Sequence, residues 1–131
     1  MIVVDTNVIA YLFISGELTL HAKNLLRKEP VWLAPILWRS EFRNVLSFYI
    51  HQNELSLINA IDLISEAENM MQGNEFEVRS KKVLELAEKS KCSAYDCEFI
   101  SLSIDLNLKL VSSDKKLIKN FNNVVIPLNK F

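Results

Sequence analysis

The sequence contains few residues that interrupt regular structure and few that could build a zinc or disulfide site. Its 131 residues include only two glycines and three prolines, which predicts few sharp turns and much regular secondary structure. The two cysteines, Cys92 and Cys97, and the two histidines, His21 and His51, do not have the spacing of a zinc cluster. We expect both cysteines to be reduced and to behave as small, buried, apolar side chains.

Long apolar runs are absent as well. No run approaches the roughly 18–20 apolar residues that a membrane-spanning helix needs, and Asp5 interrupts the first apolar run, so no signal peptide is visible. Hydrophobic residues nevertheless make up 50% of the chain, which is typical of a folded protein rather than a disordered one. We therefore expect one soluble, cytoplasmic domain over residues 1–131, with no membrane partner.

The charge balance does not decide the partner. The formal net charge is −1, which by itself argues against binding to nucleic acid. If four acids gathered in one site, however, the rest of the chain would carry 15 basic and 12 acidic side chains. A divalent cation bound among those acids would also remove their repulsion of phosphate groups. A nucleic-acid substrate is therefore compatible with this composition.

Short apolar runs alternate with longer segments of helical spacing along the chain. The predicted strands are Ile2–Val4, Val31–Ala34, Asn107–Val111 and Val124–Ile126, with a short extended piece at Glu75–Val78. The predicted helices cover residues 7–14, 18–28, 36–52, 54–71 and 79–89, followed by one that starts after Ser93 and one after Asp114. This alternation predicts an α/β domain of three layers, a parallel sheet with helices on both faces.

The ends and faces of two helices follow from particular residues. Thr6 or Asn7 is the expected N-cap of the first helix. Pro35 is expected to open the third helix, where its missing N–H needs no partner. Three apolar residues of that helix recur at helical spacing and are expected to face the core, namely Leu37, Val45 and Phe48.

Four acidic residues stand where an α/β sheet collects functional groups. Asp5 directly follows the first strand, and Asp114 follows a later strand after two serines, so both lie at the carboxyl ends of parallel strands. Glu41 lies on the apolar stripe of its helix, where a carboxylate is costly unless it is paired or binds a metal. Asp96 lies in the first turn of the helix after Ser93, where its carboxylate can point into a shared site.

Three of these acids have an ordinary structural alternative. Glu41 can border the apolar stripe and pair with Arg43 or a lysine. Asp96 can complete a helix capping pair with Ser93, and Asp114 can serve only as an N-cap. The sequence alone leaves these alternatives open.

Convergence of the four acids would require a cation. Carboxylates gathered in a partly desolvated pocket repel one another by several kcal/mol. Hard oxygen ligands with no cysteine or histidine nearby select Mg²⁺ or Mn²⁺ over zinc. Such a metal activates a water and stabilises charge on the phosphate during phosphodiester hydrolysis. The pattern therefore indicates a metal-dependent phosphodiesterase.

Four segments, present together and in order, connect the chain with a known family: Val4–Asn7, Ser40–Phe42, Ser93–Cys97 and Val111–Leu117. In these segments the chain resembles the PIN-domain ribonucleases, and most closely the VapC-type toxins of toxin–antitoxin pairs. The resemblance implies that the metal-binding, catalytic acids are Asp5, Glu41, Asp96 and Asp114. It implies that the acids or the metal-bound water are oriented by Thr6, Asn7, Ser112 and Ser113.

Two positions depart from the family's pattern. Ser112 and Ser113 replace the threonine-containing pair common before the last aspartate, and Cys97 stands where a small alanine is usual. Neither change removes a metal ligand, so we expect a chemically complete site. The resemblance also implies about five parallel strands, dependence on Mg²⁺ or Mn²⁺, endonucleolytic cleavage of RNA, a homodimer, and a cognate antitoxin whose tail covers the acidic site.

Basic and aromatic residues supply further hypotheses. Lys115 and Lys116 are candidates for contact with the RNA backbone, and the alternative is a solvated helix start. Trp38, Arg39 and Arg43 are candidates for a partner or substrate surface. The alternative for Trp38 is packing in the core, because tryptophan buries a large apolar area.

Other enzymes and domains also place acids at strand ends. A phosphatase of the haloacid dehalogenase kind needs a second aspartate two residues after the first, where this chain has Asn7. A phospho-receiver domain should show paired acids near the N-terminus, but residues 1–16 contain only Asp5 among the aspartates and glutamates. A PIN-fold module that binds RNA or protein without cleavage stays open, although the presence of all four acids argues against it.

Overall fold

The computed structural model describes all 131 residues, Met1–Phe131, as five strands and seven α-helices. The strands are β1 (Ile2–Val4), β2 (Trp32–Pro35), β3 (Glu75–Phe76), β4 (Leu110–Ser112) and β5 (Val125–Pro127). The helices are α1 (Thr6–Phe13), α2 (Thr19–Lys28), α3 (Trp38–His51), α4 (Leu57–Met71), α5 (Ser80–Ser90), α6 (Ala94–Leu106) and α7 (Lys115–Asn120), and a short 3₁₀ turn covers Leu128–Lys130. None of the α-helices has the length together with the hydropathy that a bilayer-spanning helix requires.

All five strands are parallel and form one sheet in the order β3-β2-β1-β4-β5. Every residue of the central strand β1 is at most 5% exposed. Because successive side chains of a strand point to opposite faces, helices must cover both faces of the sheet at this strand. This explains the run of three apolar residues, and the predicted three-layer α/β fold with about five parallel strands is confirmed.

One cluster of 28 buried apolar residues forms the core. Trp32 and Trp38 are both buried in it, so the packing alternative for Trp38 is confirmed. The Trp38 ring lies 6.1 Å from that of Phe42, which in turn lies 6.3 Å from Phe13 of α1. Both cysteines are free and buried, as expected.

The third helix begins later than predicted. Pro35 is the last residue of β2, opposite Phe76 of β3, and does not lie in the first turn of α3. The amide that continues the β2–β3 hydrogen bonding belongs to the next residue, Ile36, which donates to the Phe76 carbonyl at 2.9 Å. The missing N–H of proline therefore costs nothing at the end of this strand.

The buried stripe of α3 is also shifted by one residue from the prediction. Phe48 is 58% exposed, and Leu37 and Val45 are only partly buried. The fully covered stripe consists instead of Trp38, Phe42 and Leu46. The predicted stripe lies beside it, and its members Leu37 and Val45 line a cleft together with Glu41, which is therefore only partly buried.

Two phenylalanines in α3 test this assignment. We expect Phe42→Ala to lower the free energy of unfolding by about 3–5 kcal/mol, because it leaves a cavity in the core. The matched change Phe48→Ala should cost less than about 1 kcal/mol, because that ring is already exposed. Urea unfolding of both variants measures the difference, and equal losses would contradict the observed helix face.

Candidate active site

A cleft of about 520 Å³ opens at the carboxyl ends of β1 and β4. All four predicted acids line this carboxylate cleft, namely Asp5, Glu41, Asp96 and Asp114. Each comes from a different part of the fold: the end of β1, the first turn of α3, the first turn of α6 and the start of α7. No lysine, arginine or histidine lines the cleft, although the charge of the nearby Lys116 lowers the pKa of Asp96.

Asp5 connects the central strand to the helix that follows it. Its Oδ1 accepts a hydrogen bond from the Val8 backbone N–H at 3.1 Å, so Asp5 is the N-cap of α1. The prediction that Thr6 or Asn7 caps this helix is wrong, because α1 starts directly after β1 with no intervening loop. Only 7% of Asp5 is exposed, and the cap offsets part of the cost of burying a carboxylate.

Ser112 joins the two strand-end acids. Val4 lies opposite Val111 in the parallel β1–β4 ladder, so Asp5 and Ser112 are neighbours at the next position. The buried Ser112 hydroxyl donates to Asp5 Oδ2 and accepts from the Asp114 backbone N–H at 3.0 Å. One hydroxyl therefore fixes both the Asp5 carboxylate and the backbone that carries Asp114.

Asp114 and Asp96 each lie at a helix start and also line the cleft. Asp114 Oδ1 accepts from the backbone N–H groups of Lys116 and Leu117 at 2.8 and 3.2 Å, so it is the N-cap of α7. Ser93 caps α6 by accepting from the Asp96 N–H at 3.0 Å. Asp114 is thus both an N-cap and a cleft residue, whereas the capping bond at Ser93 uses the Asp96 backbone N–H rather than its carboxylate.

Glu41 is held by a hydroxyl and has no basic partner. Its Oε1 accepts from Thr6 Oγ1 at 2.7 Å. The alternative pairing with Arg43 is wrong, since the nearest acid to that guanidinium is Glu68, at 4.0 Å. Thr6 and Ser112 thus have the same role. Each hydroxyl donates a hydrogen bond to one oxygen of a partly desolvated carboxylate, Glu41 and Asp5 respectively.

The acids perturb one another's ionisation. Burial raises the pKa of Asp5 to about 6, although the hydrogen bonds from Ser112 and Val8 oppose this, and the charges of Asp114 and Glu41 raise it further. Burial also raises the pKa of Glu41, with the charge of Asp96 adding to the effect. The pKa of Asp96 is raised by burial and by the charge of Asp114. Each acid therefore repels two others around the cleft.

The donor chemistry of the cleft fits a hard divalent cation. Its polar lining offers carboxylate, hydroxyl and amide oxygens and no sulfur or imidazole, which suits Mg²⁺ or Mn²⁺. A cation would also offset the mutual repulsion of the acids. No group of three or more Asp, Glu, His or Cys side chains is arranged as a ready coordination sphere, however. The fold gathers the acids at one place without setting them as ligands around one point.

The other predicted site residues divide into two groups. Thr6 and Ser112 bond directly to the acids, as described above. Asn7 is exposed and lines the cleft without a hydrogen bond to any acid. The Ser113 hydroxyl lies 2.8 Å from the Tyr11 hydroxyl and also leaves the acids uncontacted. Lys115 is exposed, whereas Lys116 Nζ donates to the Lys91 carbonyl at 3.1 Å.

The hypothesis of a surface formed by Trp38, Arg39 and Arg43 is wrong for Trp38, and Arg39 is held in ion pairs. Trp38 is buried and its indole N–H donates to Glu75 at 3.0 Å. Arg39 binds Glu75 through two nitrogens, at 2.6 and 2.7 Å, and also binds Glu68. These contacts fix α3 to the edge strand β3 and to α4, so the residues are structural.

Four further residues line the cleft, and the sequence predicts no role in the site for them, namely Ser40, Tyr95, Phe99 and Leu117. Asn44 also lines it, one helical turn after Glu41. The signal for Asn44 was its spacing, because residues three apart share a helix face. Tyr95 has no such signal, because adjacent residues of a helix point in different directions. Its position next to Asp96 therefore does not indicate that its side chain faces the cleft.

Comparison with known proteins gives one family match. The family model described as the PIN domain matches residues 2–122, which is most of the chain. A search of curated protein sequences found no match.

Three solved structures share this fold along nearly the whole chain. PAE2754 from Pyrobaculum aerophilum has a TM-score of 0.78 and 16% identity, over 98% of this chain and 90% of that one. A toxin–antitoxin complex from Klebsiella pneumoniae has a TM-score of 0.68 and 16% identity, over 98% of both chains. FitAcB from Neisseria gonorrhoeae has a TM-score of 0.75 and 13% identity, over 100% of both chains. At these identities the similarity is one of fold.

The raised pKa of Asp5 predicts how stability depends on pH in EDTA. The folded protein keeps the Asp5 proton up to about pH 6, whereas the unfolded chain releases it near its ordinary value of about 3.9. The folded state therefore binds more protons in this window, and stability should fall by about 2–3 kcal/mol as pH rises through it. Glu41 and Asp96 act in the same direction.

Urea unfolding at a series of pH values measures this dependence. Asp5→Asn should flatten the curve and be more stable than the wild type at neutral pH. The control is Asp105→Asn, which removes an acid paired with Arg79 on the surface. An unchanged slope in Asp5→Asn would show that burial of Asp5 is not its cause.

Proposed function

The chain belongs to the PIN domain family, and from this we propose that it is a metal-dependent endoribonuclease that cleaves RNA phosphodiester bonds in the carboxylate cleft. PIN domains are typically nucleases and generally use divalent metals. One observation carries the proposal for this chain. Four acids from four separate elements line one cleft that has no basic side chain, although they repel one another. Such an arrangement opposes stability and is typical of a functional site.

The four acids would hold Mg²⁺ or Mn²⁺. When bound, the metal supplies an activated water and charge stabilisation on the phosphate. The chain's own contribution is orientation: Thr6 and Ser112 each donate to one oxygen of an acid and limit its rotation. The N-cap bonds of Asp5 and Asp114 do the same through backbone N–H groups. Orientation of this kind lowers the cost of assembling the site when metal and substrate bind.

Contact with the RNA backbone is best assigned to Lys115. Its side chain is exposed, in the residue after Asp114. Lys116 is less free, because its ammonium group donates to the Lys91 carbonyl and its charge lowers the pKa of Asp96. We propose that Lys115 attracts phosphate and that Lys116 moderates the charge of the cleft.

We further propose that the protein is the toxin of a toxin–antitoxin pair, of the VapC type. The shared fold with the Klebsiella pneumoniae toxin–antitoxin complex supports a protein partner. A second support is on α4, where Leu57, Ile58 and Ile61 are each at least 52% exposed within one turn of the helix. Exposed apolar side chains grouped in this way mark protein interfaces. A homodimer and a cytoplasmic location complete the proposal.

The alternative function is a PIN-fold module that binds RNA or protein without cleavage. It would explain the exposed apolar residues equally well. It gives no reason for keeping four acids in one cleft at a cost in stability, so we favour the nuclease.

A cleavage assay on total tRNA and ribosomal RNA tests the nuclease. We expect the wild type to produce fragments with Mg²⁺ or Mn²⁺, and EDTA to stop the reaction. Asp96→Asn should lose at least about a hundredfold in rate, the size of effect found when one electrostatic contact to a transition state is removed. Asp5→Asn should behave in the same way.

The control for Asp96→Asn is Asp105→Asn, which removes an acid from the same helix but outside the cleft. It should cut RNA at the wild-type rate. If Asp96→Asn and the wild type cut RNA at equal rates, Asp96 has no role in cleavage and is only a residue of the first turn of α6. No cutting by any variant would favour the binding module.

Inducible expression in a bacterial host tests the toxin assignment. We expect the wild type to arrest growth and Asp96→Asn to leave growth unchanged, because arrest requires RNA cleavage. Growth should return when the cognate antitoxin is expressed with the wild type. Arrest by both proteins at equal levels would indicate toxicity that is unrelated to the cleft.

A further inference from the structure

A second cleft of about 310 Å³ adjoins the carboxylate cleft. The two share Asn7 and Val45 in their linings, so they are direct neighbours. The second cleft lies between α1, the loop after it and α3, and two of its walls are aromatic, Tyr11 and Tyr49. We call it the tyrosine cleft.

The two tyrosines have different supports, and the one that is fixed is Tyr11. The Tyr11 hydroxyl bonds with Ser113 Oγ at 2.8 Å, and Ser113 directly precedes Asp114. The ring of Tyr49 packs edge-on against Phe48, with centroids 5.6 Å apart and planes at 84°. Both tyrosines are partly exposed, so each presents ring surface that a ligand can cover. The fixed ring of Tyr11 loses little conformational freedom when it binds a ligand.

The charge of the tyrosine cleft disfavours phosphate. No lysine, arginine or histidine lines it, and its one charged residue is the exposed Glu17. It offers two aromatic rings beside an aliphatic surface, together with the Asn7 amide and a carboxylate that accepts hydrogen bonds. A flat, neutral group that carries N–H donors matches this lining. Nucleobases have this chemistry, and the volume is at the lower end of small-ligand sites, about 300–1,000 Å³.

We infer that the tyrosine cleft is a nucleobase subsite, which takes an unpaired base beside the phosphate bound in the carboxylate cleft. The inference rests on the proposed nuclease function. Stacking on aromatic side chains tolerates any base, because every base has a π face. A base inside a duplex is stacked and paired and cannot enter, so this subsite binds only a nucleotide that lies outside a duplex. Tyr11 also links the subsite to the loop that carries Asp114.

Binding measurements in an Asp96→Asn background test the subsite without cleavage. The probe is a fluorescent single-stranded RNA of mixed sequence in Mg²⁺, compared with its perfect duplex. Adding Tyr49→Leu should weaken binding of the single strand about tenfold, within the range of aromatic truncations at base-stacking sites. Tyr49→Phe keeps the ring and should restore the affinity. Duplex binding should be weak and insensitive to either change.

An RNA series with one abasic nucleotide at successive positions supplies the second arm. The Asp96→Asn protein should bind the RNA less tightly when the abasic nucleotide occupies one particular position. When the protein also carries Tyr49→Leu, an abasic nucleotide at that position should cause no further loss of affinity. Photocrosslinking with 4-thiouridine RNA leaves Tyr11 and Tyr49 unchanged. Its result therefore does not depend on whether a tyrosine variant folds. Crosslinks should map to the peptides containing Tyr11 or Tyr49.

The outcomes separate this inference from the nuclease proposal. Wild-type cleavage with no effect of Tyr49→Leu and no crosslink at either tyrosine overturns the subsite and leaves the nuclease standing. Ring-dependent binding and crosslinking with no cleavage supports the subsite and overturns the nuclease. If Tyr49→Leu weakens the antitoxin complex and leaves RNA binding unchanged, the cleft binds protein and the subsite is overturned.

Discussion

The charge of Asp5 is the constraint on which the arrangement of this molecule depends. A carboxylate at the end of a covered central strand loses hydration, and its raised pKa reflects that cost. The start of α1 and the hydroxyl of Ser112 each donate a hydrogen bond to it. Glu41 and Asp114 increase the cost through repulsion, and no basic side chain in the cleft opposes them. The fold retains this cost in stability, which is the pattern expected where a local rule is broken at a functional position.

Two of the four acids are positioned by the sheet, and the other two are positioned by helices. Asp5 and Asp114 follow strands whose register is set by the pairing of Val4 with Val111, and Ser112 ties them together. Glu41 and Asp96 stand on α3 and α6, so their distance from the first pair depends on how those helices pack on the sheet. Small shifts of packed helices are easier than changes of strand register. Closure of the acids around a ligand would therefore come from the helical half.

The sequence predicted the sheet and the acids well because both leave local signals. Apolar β-branched runs identify the inner strands, and an acid directly after such a run identifies a strand end. The buried face of α3 was not predictable in the same way, because two neighbouring stripes are both largely apolar, and only packing decides between them. The bond between Tyr11 and Ser113 joins residues 102 positions apart and has no local signal. The tyrosine cleft depends on that kind of contact, so it emerged only from the structure.

The sheet ends in very short edges. β3 has two residues, and β5 has three, the last of them Pro127, which has no N–H to offer. Long open edges let strands of other chains add to a sheet, and they are a common origin of aggregation and of peptide capture by strand addition. Neither edge here is long enough to template such pairing. Addition of a strand from another chain is therefore disfavoured at both edges of this sheet.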